Sequence, residues 1–431
     1  MARLLYTVLF YAAQPLVWVR LLWRGRRQPE YRQHIDERYG FYPPAPSAPV
    51  IWLHAVSVGE TRAAEPLIDA LLARYPEHAL LLTHMTPTGR ETGRSHAARH
   101  PGRVIQAYLP YDLPDAARRF LRHFRPQIGL FMETELWPNL IAAAHSARIP
   151  LALVNGRLSA RSQRGYQRLD ALIRPALQSL ALVAAQTAAD ASRLESVGAC
   201  SPQVTGNLKF DVTPDPARLA QGHNWRAEIG ARPIWLAAST RDGEEALIFD
   251  LLAGLAVAKL LLIVVPRHPQ RFDEVAALAC ARGLRLKRRS AGELPDAETQ
   301  VWLGDSMGEM ASYYAASDLA LIGGSLLPFG GQNLIEAAAC GCPVLVGPHT
   351  FNFAQAAEDA VVSGGALRVA DGAGLAEAVT HLLTTPEDRI NMKEKAIAFS
   401  QAHQGATART MALLEPLLSK QRSSTTAAAV R

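Results

Sequence analysis

Short apolar runs recur along the chain, each closing on a polar or glycine-rich turn, and each turn leads into a stretch of helical period. The runs predict strands at residues 50–53, 79–83, 128–132, 151–154 and 182–185, with a second set at 234–237, 260–265, 300–303, 319–322 and 343–346. Helical stretches such as 62–74 and 333–340 lie between them. Strands that are apolar along their whole length and alternate with helices build parallel sheets covered on both faces. The stretch 211–227, with Pro214 and Pro216, parts the two sets and reads as a hinge. The expected architecture is therefore α/β, with two Rossmann-like, doubly wound parallel-sheet domains at residues 25–212 and 213–418. The run PPAPSAP at 43–49 is a stiff linker into the first strand. The tail at 419–431, SKQRSSTTAAAVR, has no apolar face and is expected to be disordered.

Ahead of the first domain, residues 4–23 read LLYTVLFYAAQPLVWVRLLW, interrupted only by Gln14, Pro15 and Arg20. Twenty helical residues span ~30 Å, about the thickness of a hydrocarbon core. The expectation is a membrane-anchor helix at residues 1–24. Pro15 and Arg20 keep open whether it spans the bilayer or lies in its interface. Arg20, Arg24, Arg26 and Arg27 place the downstream chain on the cytoplasmic side by the positive-inside tendency. A cleavable signal is not expected, because no strong basic segment precedes the run and no small-residue site closes it.

Composition narrows the classes of function. With 49% hydrophobic and 19% charged residues among 431, the chain is of globular type. A net charge of +6 favours acidic partners: nucleic acid, anionic lipid or a phosphorylated small molecule. The basic residues are spread out, and neither zinc-finger spacing nor an arginine-rich arm is present, so nucleic acid is not the expected partner. Four cysteines form no disulfide framework and read as reduced thiols. Without H-E-x-x-H, a C-x-x-C pair or an acidic calcium loop, neither a metal nor a cofactor is expected.

In doubly wound sheets ligands bind beyond the carboxyl ends of the strands, so chemistry is sought in the turns. After the run 319–322 come Gly323-Gly324-Ser325 and then Gly330-Gly331-Gln332-Asn333, leading into a helix. Glycines permit close backbone approach, and a helix start favours an anion. Glu336, one turn on, suits a ribose diol, and Arg267-His268 follow another strand where a guanidinium can pair a phosphate. Met307-Gly308-Glu309 expose backbone groups at a further helix start. These three turns together describe a nucleotide pocket in the second domain.

The first domain carries acids and bases instead. Glu133 and Glu135 follow one strand, and Arg157, Arg161, Arg164 and Arg168 follow another. Residues 83–94 mix hydroxyls and arginines, and Lys209 precedes the hinge. Glu60 closes VIWLHAVSVGE (residues 50–60), where a strand hands over to a helix. There the helix start would hold a carboxylate ionised and oriented to take a proton from a hydroxyl; a helix-capping acid occupies the same position. A nucleotide wall and a wall of carboxylates and cations suit group transfer to an acidic second substrate.

The blocks HAVSVGE (54–60), TPTGRE (86–91), PYDLP (110–114), METELWPN (132–139), RLSARS (157–162), PRHPQRF (266–272), GDSMGE (304–309) and GPHTFNF (347–353) occur in this order. In them the chain resembles the 3-deoxy-D-manno-octulosonic acid (Kdo) transferases of lipopolysaccharide biosynthesis, from the anchor to about residue 355. The resemblance implies a GT-B glycosyltransferase, with the acceptor on the first domain and the nucleotide on the second, facing a cleft. It implies inverting, metal-free transfer of Kdo from CMP-Kdo to the lipid A precursor lipid IVA, at the cytoplasmic side of the bacterial inner membrane. Carried over by position, Glu60 corresponds to the general base, and Glu133 with Lys209 to transition-state stabilisation. Arg267, His268, Met307, Gly308, Glu309, Asn333, Leu334, Ile335 and Glu336 correspond to the CMP contacts. The chain departs from the family at Gln332, where histidine is frequent, at Leu334, where proline is frequent, and at Pro328-Phe329. The alternatives are a GT-B transferase or epimerase acting on a UDP-sugar, and a non-catalytic, membrane-tethered nucleotide-sugar-binding scaffold. The PRHP and GDSMGE blocks speak against the first, and the set Glu60, Glu133 and Lys209 against the second.

Overall fold

The structure, a computed structural model, describes the backbone of residues 1–429 and the side chains of residues 1–419 other than Arg27. The chain divides into two compact units, Met1–Val212 with Gln404–Arg431 and Thr213–His403.

In the first unit seven strands form one parallel sheet: β1 (Val50–His54), β2 (Ala79–His84), β3 (Val104–Tyr108), β4 (Ile128–Met132), β5 (Leu151–Gly156), β6 (Leu182–Ala185) and β7 (Gln203–Val204). Their spatial order is β3-β2-β1-β4-β5-β6-β7. Each residue of β1, β2 and β4 is buried, as expected of strands with helices on both faces. One face packs Trp52, Phe120, Phe131 and Leu153; the other packs Ile51, Leu53, Leu67, Leu130 and Val154.

The second unit repeats the plan with β8 (Ile234–Thr240), β9 (Leu261–Pro266), β10 (Leu286–Arg288), β11 (Val301–Leu303), β12 (Leu319–Ile322), β13 (Val344–Val346) and β14 (Ala366–Arg368). Here the order is β10-β11-β9-β8-β12-β13-β14, again all parallel. Trp235, Phe249, Leu262, Val264, Leu321 and Leu345 centre its core.

Two sequence expectations change. Residues 1–24 do not form one helix: α1 (Ala2–Ala12) and α2 (Gln14–Arg27) meet at a 49° bend. Pro15 has no N–H to continue the ladder of α1 and instead sits in the first turn of α2. No single helix among the described residues is long and apolar enough to cross a membrane, although the bent pair taken together is. Both helices lie on the first unit: Thr7 Oγ1 donates to Asn139 Oδ1 (3.0 Å), Tyr11 OH to Asp115 (2.5 Å), and Leu21 packs with Tyr111, Leu113 and Ala116.

The second change concerns the C-terminal segment. Residues 404–418, assigned from sequence to the second domain, return to the first. The closing helix, Ala406–Ala429, buries Ala406, Leu414 and Leu418 against Leu67, Ile68 and Leu71 of α4 (Glu65–Arg74). Asp211 anchors the crossing by accepting the N–H groups of Gly405 (2.6 Å) and Thr407. The tail 419–431, expected to be disordered, instead continues the closing helix in its backbone to Ala429; residues 430–431 lie outside the described residues.

Candidate active site

In a doubly wound sheet the ligand crevice opens where successive crossovers leave in opposite directions. In the first unit that point lies between β1 and β4, whose carboxyl ends carry Glu60 and Glu133. In the second it lies between β8 and β12.

Beyond β1 the backbone turns through Ala55–Ser57 into α3 (Val58–Ala63). Ser57 caps the helix, its Oγ accepting the Glu60 N–H (3.5 Å) and donating to Glu60 Oε1 (3.1 Å), while the Val56 N–H donates to Oε2 (2.8 Å). This is close to a capping box, so the carboxylate expected from the resemblance to be the base also caps its helix. The expectation that the helix start holds Glu60 firmly ionised is not met. Burial, with the charges of Glu133 and Glu135 behind it, outweighs the Val56 and Ser57 hydrogen bonds and raises its pKa to about 7. A carboxyl poised there exchanges a proton readily at neutral pH.

Glu133, buried at the end of β4, sits in left-handed backbone (φ 58°), a conformation costly for a non-glycine residue. Its N–H donates to Val154 O (3.1 Å). One carboxylate oxygen meets Lys209 Nζ (3.2 Å) and the other Arg157 Nε (3.0 Å). Lys209 rides on the 3-10 turn Leu208–Asp211, fixed to the end of β5 by the Leu208 N–H donating to Asn155 Oδ1 (3.0 Å). Residues 76 apart in sequence thus form an ion pair beside Glu60. Arg161, Arg164 and Arg168 are exposed on the helix Ala160–Arg168. Arg90 is absorbed by the fold, both its terminal nitrogens bonding buried Glu37 (2.6 and 3.2 Å).

In the second unit the Arg267 N–H donates to Thr240 O (3.0 Å), placing it at the end of β9. His268 is largely exposed; desolvation and then the charges of Arg241, Arg267 and Arg271 lower its pKa. Gly308 adopts φ 77° and Met307 projects into solvent. The Glu309 side chain is engaged elsewhere, with Arg289 (3.0 Å), Gln221 (2.9 Å), Arg218 (3.5 Å) and Ser306. Burial opposes its ionisation, but these partners outweigh it and hold the carboxyl below its ordinary range. That turn therefore offers a ligand its backbone more than its carboxylate.

The glycine turn beyond β12 is tightly held. Gly330 and Gly331 have φ 91° and 74°, and a Cβ on Gly330 would come within 2.4 Å of Phe351. The helix that follows, Ile335–Ala339, begins two residues later than sequence suggests, because Asn333 spends its Oδ1 on the Ile335 N–H (3.1 Å). At five residues its dipole is small. Leu334 and Ile335 are buried, and Glu336 is half-buried one turn on.

Sequence reading passed over the end of β8 and the turn it enters, Ser239-Thr240-Arg241. Ser239 has φ 58°, and Arg241 stacks over Phe329 at 4.8 Å. Buried Glu244 accepts N–H groups from Arg241 (2.9 Å), Gly324 (2.6 Å) and Leu326 (3.1 Å), binding together the turns on both sides of the switch point. The signal was available, since the apolar run 234–237 that leads into it was read as a strand.

Two doubly wound sheets, one with a near-neutral carboxyl at its switch point and the other with cations and glycines at its own, define a glycosyltransferase of the GT-B class. A solved glycosyltransferase from Rickettsia africae shares the fold at TM-score 0.60 and 12% identity, over 86% of this chain and 99% of that one. Residues 33–212 match the family model of 3-deoxy-D-manno-octulosonic-acid transferases, and residues 281–399 that of glycosyl transferases group 1. The chain is 47% identical to the 3-deoxy-D-manno-octulosonic acid transferase of Bordetella pertussis, over 97% of its own length and all of the relative's. It is 38% identical to that of Haemophilus influenzae over the same shares. The chain belongs to the 3-deoxy-D-manno-octulosonic acid transferase family.

Proposed function

We propose that this enzyme transfers Kdo from CMP-Kdo to a sugar hydroxyl of lipid IVA, with inversion, in lipopolysaccharide biosynthesis. The observation that carries the reading is Glu60: a carboxyl titrating near neutrality at the switch point of a chain related end to end to Kdo transferases. The acceptor oxygen attacks the ketosidic carbon, the bond from that carbon to the phosphate oxygen breaks, and CMP leaves with the electron pair. The hydroxyl proton passes to a Glu60 oxygen. Negative charge growing on the leaving phosphate is met by Arg267 and the backbone of the Gly308 and Gly330-Gly331 turns. Lys209, held by Glu133, stabilises charge on the acceptor side, and Arg161, Arg164 and Arg168 suit a phosphorylated acceptor.

The same reading places the enzyme on the cytoplasmic face of the inner membrane, with α1 and α2 lying in the interface. In its support, Leu4, Leu5, Val8 and Leu9 of α1 and Leu16, Val19, Leu22 and Trp23 of α2 are exposed, while their other sides pack on the first unit. Leu9→Glu with Val19→Glu should shift the enzyme from the membrane fraction to the soluble fraction without unfolding it. Unchanged partitioning of a folded variant overturns interfacial attachment.

The deciding experiment is mass spectrometry of lipid IVA after incubation with purified enzyme and CMP-Kdo generated in situ. Product heavier by one or more Kdo units is expected, and the increment counts the units. Unmodified lipid IVA, from enzyme that binds CMP, would sink the acceptor assignment. Competition by UDP in place of CMP would sink the donor assignment.

A further inference from the structure

A groove of about 820 Å³ runs through the first unit between α1 and the helices Pro114–Phe124 and Pro138–Ser146. That is the size of sites that enclose small amphiphilic ligands. Leu4, Leu121, Ala142, Ala143 and Ile149 give it an apolar wall. At one end Thr7 and Asn139, hydrogen-bonded to each other, close it off. Its charged lining is all of one sign, since Arg3, Arg118, Arg122 and Arg125 border it and no aspartate or glutamate does.

The arginines are arranged, not scattered. Arg118 and Arg122 stand one turn apart on the helix Pro114–Phe124, and Arg125 follows at its left-handed C-cap (φ 44°). Arg122 Nε donates to Arg118 O (3.4 Å) and Arg125 Nε to Arg122 O (3.3 Å), leaving the outer nitrogens of both guanidinium groups for other acceptors. Among the described residues none of the four pairs with a carboxylate, whereas neighbouring Arg119 does so with Asp115 (2.7 Å). An unneutralised row of guanidinium groups beside an apolar trough recognises a molecule with a phosphate at one end and hydrocarbon behind it.

The groove leads away from the reacting site. It runs along both helices from Pro114 and Asn139, near their starts, to Pro126 and Ile149, two residues before β4 and β5, at the edge of the sheet opposite to the carboxyl ends that carry Glu60 and Glu133. Leu4 both lines it and is exposed, so it is continuous with the outer apolar side of α1.

We propose that this groove binds one molecule of anionic phospholipid, with an acyl chain along the apolar wall and the phosphate on Arg118, Arg122 and Arg125. The inference rests on the interfacial placement of α1 only for the supply of lipid. Its test measures binding in detergent, without transfer, so its failure is distinct from failure of the catalytic reading.

Native mass spectrometry of the full-length enzyme, titrated with phosphatidylglycerol or phosphatidylcholine of equal chain length, is expected to show a one-to-one phosphatidylglycerol adduct. A preference of about tenfold or more over phosphatidylcholine follows from several guanidinium contacts. The variant R118Q/R122Q/R125Q should lose that preference, and Ala142→Trp should displace the lipid by filling the groove; an unshifted melting transition of the first unit reports that each variant is folded. The proposal is overturned if phosphatidylcholine binds equally well or if either folded variant retains wild-type binding. It is also overturned if lipid IVA displaces phosphatidylglycerol one for one, which would make the groove part of the acceptor site.

Discussion

Glu60 is the residue on which the proposed chemistry turns, and its environment makes two predictions. Replacing it with alanine removes the proposed base but not the proposed donor pocket, so transfer should fall by about 10²–10⁴-fold with CMP affinity unchanged in calorimetry. Near-normal turnover would reassign the base. Because burial and Glu133 raise its pKa to about 7, the acid limb of kcat should fall in that region and not near pH 4–5. The stability consequence has a definite sign. The folded state binds this proton more tightly than the unfolded chain, so below the unfolded pKa the site carries no penalty, and the ionised group destabilises the fold as pH rises through 7. Glu60→Gln should therefore melt higher than wild type at pH 8, with the difference vanishing near pH 4. A difference that grows towards low pH would contradict this environment.

Among the elements, sequence and structure part at the edges of the sheets. All ten strands expected from apolar runs are inner strands. The four passed over, β3, β7, β10 and β14, are the outermost strands of the two sheets. An edge strand is covered on fewer sides, so its residues need not be apolar: β7 is exposed at both positions and β10 is half-buried throughout. Site turns after inner strands were correspondingly legible, and Glu60, Glu133, Arg267 and the Gly330-Gly331 turn stand where such turns stand. The pairing of Lys209 with Glu133 across 76 residues was not, because no local pattern records which turns a topology brings together. Nor was the return of the closing helix, whose apolar positions look the same whichever core receives them. Leu414→Ala tests that return: a fully buried leucine removed against α4 should destabilise the first unit by ~2–4 kcal/mol in chemical denaturation. An effect under ~0.5 kcal/mol would mean the helix is a surface appendage.

On the scale of the whole molecule, each unit has its own core, and the proposed donor contacts all lie in the second. Calorimetric unfolding should resolve two transitions. CMP at 100 times its Kd adds ~2.7 kcal/mol to the unit that binds it, so one transition should move upward while the other, which Leu414→Ala lowers, stays. If CMP moved both equally, the units would be unfolding as one. The net charge of +6 predicts in addition that transfer to a phosphorylated acceptor weakens as salt rises.

The closing helix has a further bearing, on how the polypeptide comes off the ribosome. The hydrophobic surface of α4 waits for Leu414 and Leu418, and between the two lies the entire second unit. At ordinary elongation speeds that interval lasts on the order of ten seconds or more. A nascent chain must pass through it with an unfinished amino-terminal half, open to trigger-type chaperones. A message shortened by about the length of the closing helix would yield a protein whose second unit is whole and whose first unit cannot close its core.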